Sequence, residues 1–398
     1  MRLRKIAALA LAILLLCALL PVSAAAADPV FIPNSGQQLN IDGVLRTYEQ
    51  PLANYAGYTL LPLRSLAADL GIPNDDDHIV YVAATKEVTL ISADGARKVW
   101  LQQGNANAWY EVDGVRTDVP LDCLVQNSGG FLYIPVRFAA ESLGMTVDYD
   151  VPTRTVLIRT PESLRSVDEI LEKQRNADSP EKISWVQNMH SKSAFVGSDV
   201  RITEKTEVRL DTSDAAHIKM SMQTENETLG IQSKIEVYID GDTFYLADAF
   251  GILKQTLSPD DMKTVITASH IVNIINEEEM TDMLRMRMFA KPGKAEEQTT
   301  LYGDFTSVFS GDSALLKDLL GTGNTSEDIK IHQYLCEITV DNTTGLTMAV
   351  EYILKADFVI EGLSVQSEIV MTVTYDYDPA MTVTIPQEII DAAVEYSE

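Results

Sequence analysis

The sequence is poor in the residues that most often carry chemistry. It has three cysteines and five histidines among 398 residues. Cys17 lies inside an apolar run with Leu16 before it, where a lipoprotein box would need a small residue. Cys123 and Cys336 are too far apart in sequence to suggest a disulfide framework. In LCEITV, Cys336 alternates with Ile338 and Val340, which places it on the apolar face of a strand as an inert thiol. His78, His190, His217, His270 and His332 stand singly, without ligand spacing, and no CxxC is present. No metal or other cofactor is therefore expected. Asp75-Asp76-Asp77 lacks the glycine and trailing glutamate of a calcium loop, and Glu277-Glu278-Glu279 reads as an exposed face or helix break. Phosphate loops, dinucleotide glycines and a G-x-S-x-G elbow are also missing, and Ser269-His270 is a chance adjacency on an amphipathic segment. The expectation is a protein that is not an enzyme.

Basic charge is scarce as well: 31 Lys and Arg face 58 Asp and Glu. Such a surface repels nucleic acid and anionic headgroups, which excludes both as partners. Long apolar runs are confined to the start. Arg2, Arg4 and Lys5 precede an uncharged stretch, Ile6 to Leu20, and PVSAAAAD follows. This reads as a secretory signal peptide, residues 1–27, cut near Ala27. The stretch is shorter than the roughly 20 residues a bilayer span needs. The mature chain is thus expected to be exported, extracellular or envelope-associated, with no transmembrane segment.

What the sequence does have is a repeat. LLPLRSLAADLG ends at Gly71 and YIPVRFAAESLG ends at Gly144. In each copy a strand runs into a proline at the first helical position. Leu63, Leu66, Ala67 and Leu70 then form one helical stripe, matched by Val136, Ala139, Ala140 and Leu143. A glycine closes each helix in the left-handed C′ position. Ile41-Asp42-Gly43 and Val112-Asp113-Gly114 are equivalent turns upstream, and YVAATKEVTLI from Tyr81 matches YDVPTRTVLI from Tyr149. The first copy carries extra residues in its acidic loop, PNDDDH. Two strand–helix–hairpin units result.

The DG turn, the strand, P-[LV]-R, the helix ending in LG and the closing T-[KR]-x-V pair resemble the copper amine oxidase N-terminal-like, or stalk, domain. That resemblance implies an exported protein of a Gram-positive bacterium and an appendage remote from any copper site. Catalysis in the amine oxidases needs N-Y-[DE] and a histidine cluster, whereas Asn54-Tyr55 is followed here by Ala56. Residues 28–160 are assigned to this domain.

Residues 161–182 are read as a linker and leading helix, with Ser166 at the N-cap and Glu169 at N3 of a capping box. From residue 183 to 398 the alternation is that of strands. Ile235, Val237 and Ile239 turn at Asp240-Gly241-Asp242 into Phe244 and Leu246. Ile369, Met371, Val373, Tyr375 and Tyr377 share one face of a later strand. Between Ser258 and Phe289 the spacing is helical, and a short helix is expected behind Pro386. The order of these pieces resembles the LolA/LppX-like envelope lipoprotein fold, although that family commonly has a tryptophan where this chain reads GILKQ. The expected class is α+β: the tandem stalk-type domain, then a curved antiparallel half-barrel sheet with helices on its concave face.

Two groups of candidate site residues emerge. Met280, Met283, Met286, Met288 and Phe289 suit an irregular apolar ligand such as a lipid, or else pack a helix on the sheet. Arg64 and Arg137 follow their prolines by two residues. They meet an anionic cell-wall polymer or carboxylate, or else anchor their helices. The leading expectation is a non-catalytic envelope protein with a stalk as spacer or wall-contact module and a C-terminal domain binding a lipid or other apolar ligand. The alternative is a structural module contacting another envelope protein, with no small ligand, and an envelope enzyme stands third.

Overall fold

The structure is a computed structural model that describes residues 30–195, 198–258, 284–310, 329–360 and 363–396. The signal segment, His270, the Glu277–Glu279 run, Met280 and Met283 lie outside the described residues. The chain is mostly β, with a curled half-barrel sheet. Most of the helix expected from Ser258 onward falls on residues 259–283, and its end is already strand: Met288 and Phe289 open β20 (Met288–Pro292). Among the described residues no helix is long and apolar enough to cross a membrane.

The two repeats are built alike and then pair across each other. In the first, β4 (Tyr58–Pro62) runs into α1 (Leu63–Asp69), and in the second β11 (Phe131–Pro135) runs into α2 (Val136–Ser142). Each proline sits at the N-cap, one position earlier than the sequence suggests. Both helices end in a Schellman motif with glycine at positive φ. Gly71 and Ile72 donate to Ala68 and Ala67 carbonyls, and Gly144 and Met145 repeat this with Glu141 and Ala140. The two proline strands lie side by side and antiparallel, Leu61 opposite Ile134. Leu60, Leu61 and Ile134 are fully buried. The stripes of both helices enter one core with Leu39, Val99 and Ile158.

The outer hairpins are exchanged. β1 (Gln38–Ile41) and β2 (Val44–Arg46) of the first copy join β12 (Thr146–Asp150) and β13 (Thr155–Arg159) of the second, β1 running parallel to β13. The turns expected at Asp42-Gly43 and Asp113-Gly114 have φ of 48° and 87°, and 50° and 81°. This is the left-handed pair that a two-residue hairpin loop demands.

Helix α3 (Pro161–Arg175) corrects the expected capping box. Its N-cap is Thr160, whose Oγ1 accepts from the Ser163 N–H, and Pro161 takes the first turn. Ser166 lies inside the helix and donates to the Glu162 carbonyl. The competing cap wins because it places Leu164, Val167, Ile170 and Leu171 on one buried face.

Among the described residues, twelve strands then form one sheet, from β20 through β24 (Leu363–Asp376) and β14 (Lys182–Phe195) out to β19 (Gly251–Thr256) and a two-residue edge, Val394–Glu395. Neighbours are antiparallel throughout except at that last edge, where Leu253 pairs with Val394 in parallel. The short helix behind Pro386 is present at Gln387–Ala392.

Candidate functional site

Side chains alternate across a strand, so register decides which residues share a face of this sheet. Tyr375, Trp185, Val208, Met222, Val237 and Leu246 lie opposite one another in successive strands and form one cross-strand row. Met288, Gly303, Cys336, Tyr352, Met371 and Met189 form a second row on the same face. Two apolar clusters meet on this face. One joins Trp185, Val208, Ile239 and Tyr375. The other joins Leu301, Ile338 and Leu354 to Val167, Ile170 and Leu171 of α3. Val350 and Tyr352 pack against both, so the apolar face is continuous from one cluster to the other.

Burial fixes the chemistry of this face. It pushes the Cys336 thiol up to about 12 and the Tyr352 phenol to about 12, and it raises Tyr334, Tyr375 and Tyr377 well above the ordinary phenol range. A thiol held protonated is no nucleophile at neutral pH. Cys123, in the other domain, is likewise raised to about 11.

The expected methionine and phenylalanine group divides. Met288 is buried in the sheet cluster beside Leu284 and Leu301. Met286 and Phe289 instead line a cleft of about 570 Å³ between the N-terminal domain and the sheet, with Val44, Leu45, Tyr302 and Leu335. The residue that organises this junction is Arg159, which sequence patterning did not single out. Only 1% of it is exposed. Its Nη1 donates to the carbonyls of Arg285, Met286 and Met288, and its Nη2 donates to Ser163 Oγ at 2.8 Å. Its Nε lies 3.4 Å from Asp42 Oδ1, close enough for an ion pair but not aligned as a hydrogen bond. Burial pulls its pKa down, and the neighbouring Asp42 carboxylate opposes this. Two further arginines fasten the same segment: Arg285 pairs with Asp168, and Arg287 donates to Asp150 at 3.1 Å and lies 3.6 Å from Asp148.

Arg64 and Arg137 both stand at the surface, their side chains about half exposed at 53% and 51%. Arg64 reaches into the acidic loop, donating to Asn74 Oδ1 at 2.7 Å and meeting Asp76 at 3.5 Å. Arg137 donates through Nη1 to Glu141 and to the Val147 carbonyl, at 2.9 and 2.7 Å. Among the described residues, neither arginine lines the cleft that Met286 and Phe289 share. Asp75 holds the acidic loop closed by accepting from the His78 and Asp77 backbone N–H groups.

Residues 40–158 match the family model of the copper amine oxidase N-terminal domain. No curated protein matches the chain. Among solved structures the chain is similar to LprF from Mycobacterium bovis, with a TM-score of 0.31 and 8% identity over 57% of this chain and 98% of that one. It is similar to lipovitellin at a TM-score of 0.24 and 8% identity, over 52% of this chain and 26% of that one. It is also similar to a DUF1329 family protein from Desulfovibrio piger at 0.18 and 10% identity, over 55% and 95%. At TM-scores this low the shared shape assigns no function.

Proposed function

We propose that this is an exported, non-catalytic protein of a Gram-positive cell envelope. Its C-terminal domain binds a lipid or another apolar ligand between the concave face of the sheet and the helices laid on it. Its N-terminal domain is a spacer or wall-contact module. The observation that carries the reading is the row from Tyr375 through Trp185, Val208, Met222 and Val237 to Leu246, one continuous apolar face across neighbouring strands. Met222 and Leu246 are only partly buried there, which leaves apolar area for a ligand to cover at about 25 cal/mol per Å². The arginines at the domain junction are consumed in ion pairs and carbonyl contacts, which favours a positioning role for them over catalysis.

The test uses Trp185 as a reporter. Replacing Trp100 and Trp109 by Phe leaves it as the single tryptophan of the three in the chain. Its emission should shift saturably on titration with a fatty acid or short-chain phospholipid. Solvent extracts of the protein purified from its own host should contain lipid in near-stoichiometric amount. Lipid-free extracts together with an emission that no amphiphile moves would sink the reading.

A further inference from the structure

The duplication provides an internal comparison that bears on the exposed arginines. In the first copy the additional loop supplies Asn74 and Asp76, and Arg64 is turned toward them. The second copy lacks that loop. Arg137 there borders a groove of about 370 Å³ to which both repeats contribute: Asn54 and Tyr58 from the first, and Tyr149 and Arg154 from the second. Arg137 spends only its Nη1 on Glu141 and Val147. Those two bonds fix the plane of the guanidinium and leave its Nε and Nη2 without a partner among the described residues. Arg154 sits in the left-handed turn position at φ 56° and donates through Nη2 to the Ser35 carbonyl at 2.8 Å. Its Nε and Nη1 are likewise unpartnered among the described residues. The groove's own carboxylate is Asp148, which faces Arg287 at 3.6 Å.

We propose that this groove binds an anionic saccharide, its carboxylate or phosphate between Arg137 and Arg154 and its rings against Tyr58 and Tyr149. Guanidinium forks recognise planar carboxylate and phosphate oxygens. Tyrosines present flat apolar faces with a polar rim, which suits a sugar ring better than a bare ion. In a chain of net charge −27, two arginines with unspent donors in one groove run against the composition. The inference deepens the wall-contact reading of the N-terminal domain and rests on it.

The experiment is calorimetry on the full chain with four probes: oligogalacturonate, a phosphorylated manno-oligosaccharide, a neutral cello-oligosaccharide and polyglutamate. One or both anionic sugar-based probes should bind, and the stronger of the two identifies carboxylate or phosphate as the recognised group. The neutral probe and polyglutamate should bind much more weakly. Arg137→Gln and Arg154→Gln should each weaken binding by about tenfold, since a charge-assisted hydrogen bond is lost in each. Arg64→Gln should leave the affinity unchanged. Both groove arginines are exposed, so thermal melts of the variants should match the parent. The proposal is overturned if neither anionic saccharide binds, if polyglutamate binds equally well, if the double variant keeps its affinity, or if Arg64→Gln weakens binding as much. Trp185 emission with an amphiphile is read separately, so failure at the groove is distinguishable from failure of the lipid reading.

Discussion

The guanidinium of Arg159 lies 4.1 Å over the ring of Phe289, and this pair is the hub of the contact between the two halves of the chain. Arg159 ends the last strand of the repeat domain, and Phe289 lies in the first strand at one edge of the large sheet. The same arginine gathers three backbone carbonyls from residues 285–288, where it takes the place of water as their donor.

Arg159→Met is therefore expected to cost about 3 kcal/mol, because it leaves several buried carbonyls without a donor and takes the cation from the partly exposed Asp42. Arg159→Lys should recover only part of this, since a point charge cannot reach the carbonyls and Ser163 at once. Urea denaturation followed by Trp185 emission measures both. A loss below about 1 kcal/mol for the methionine variant would mean that the junction is not held by this residue.

Gly43 touches the same ring. A Cβ on Gly43 would come within 3.0 Å of Phe289, whereas one on Gly114, the equivalent residue of the second copy, would meet nothing. Both glycines have positive φ. Gly114→Ala should then cost only the left-handed conformation, about 1 kcal/mol, and Gly43→Ala should cost about 1–3 kcal/mol more from overpacking. Combining Gly43→Ala with Phe289→Leu should return much of the excess. Equal losses for the two alanine variants would rule out the packing contact.

Local punctuation made the repeat domain legible. Proline before each helix, glycine after it and aspartate–glycine turns act within a few residues, and each is found where the pattern puts it to within one position. The exchange of hairpins was not legible, because β1 meets β13 more than a hundred residues later in the chain and both copies offer equally good partners. Arg159 left one trace: it occupies the place of Ile91 in the first copy, a charge where the repeat calls for an apolar residue. Its partners lie on a segment whose approach no local pattern encodes. The apolar face was visible as period-two alternation, but the division of Met286 and Phe289 from Met288 depends on where the strand begins.

The cap of α3 tests the same lesson. Thr160→Ala should cost about 1 kcal/mol for the cap, and more because the bond from its Oγ1 to Asp42 is lost with it. Ser166→Ala should stay within about 0.5 kcal/mol. Thermal melts of the two variants decide it, and the reverse order of loss would restore the capping box.

Alkaline pH should unfold the sheet, and the sign follows from burial. Cys336 and Tyr352 keep their protons in the folded protein to about 12, against ordinary values of 9.0 for the thiol and 10.0 for the phenol. Tyr334, Tyr375 and Tyr377 are shifted in the same direction by the same cause. Folding thus favours the protonated forms. The stability this contributes is complete below about pH 9 and is lost as pH rises through the folded values. Each group ionised in the unfolded chain but not in the fold steepens the decline by about 1.4 kcal/mol per pH unit. The urea midpoint should fall progressively from about pH 9 upward, and phenolate absorbance should rise together with unfolding. A midpoint independent of pH up to about 11, with tyrosines titrating near 10 in the folded state, would show that this face of the sheet is open to water.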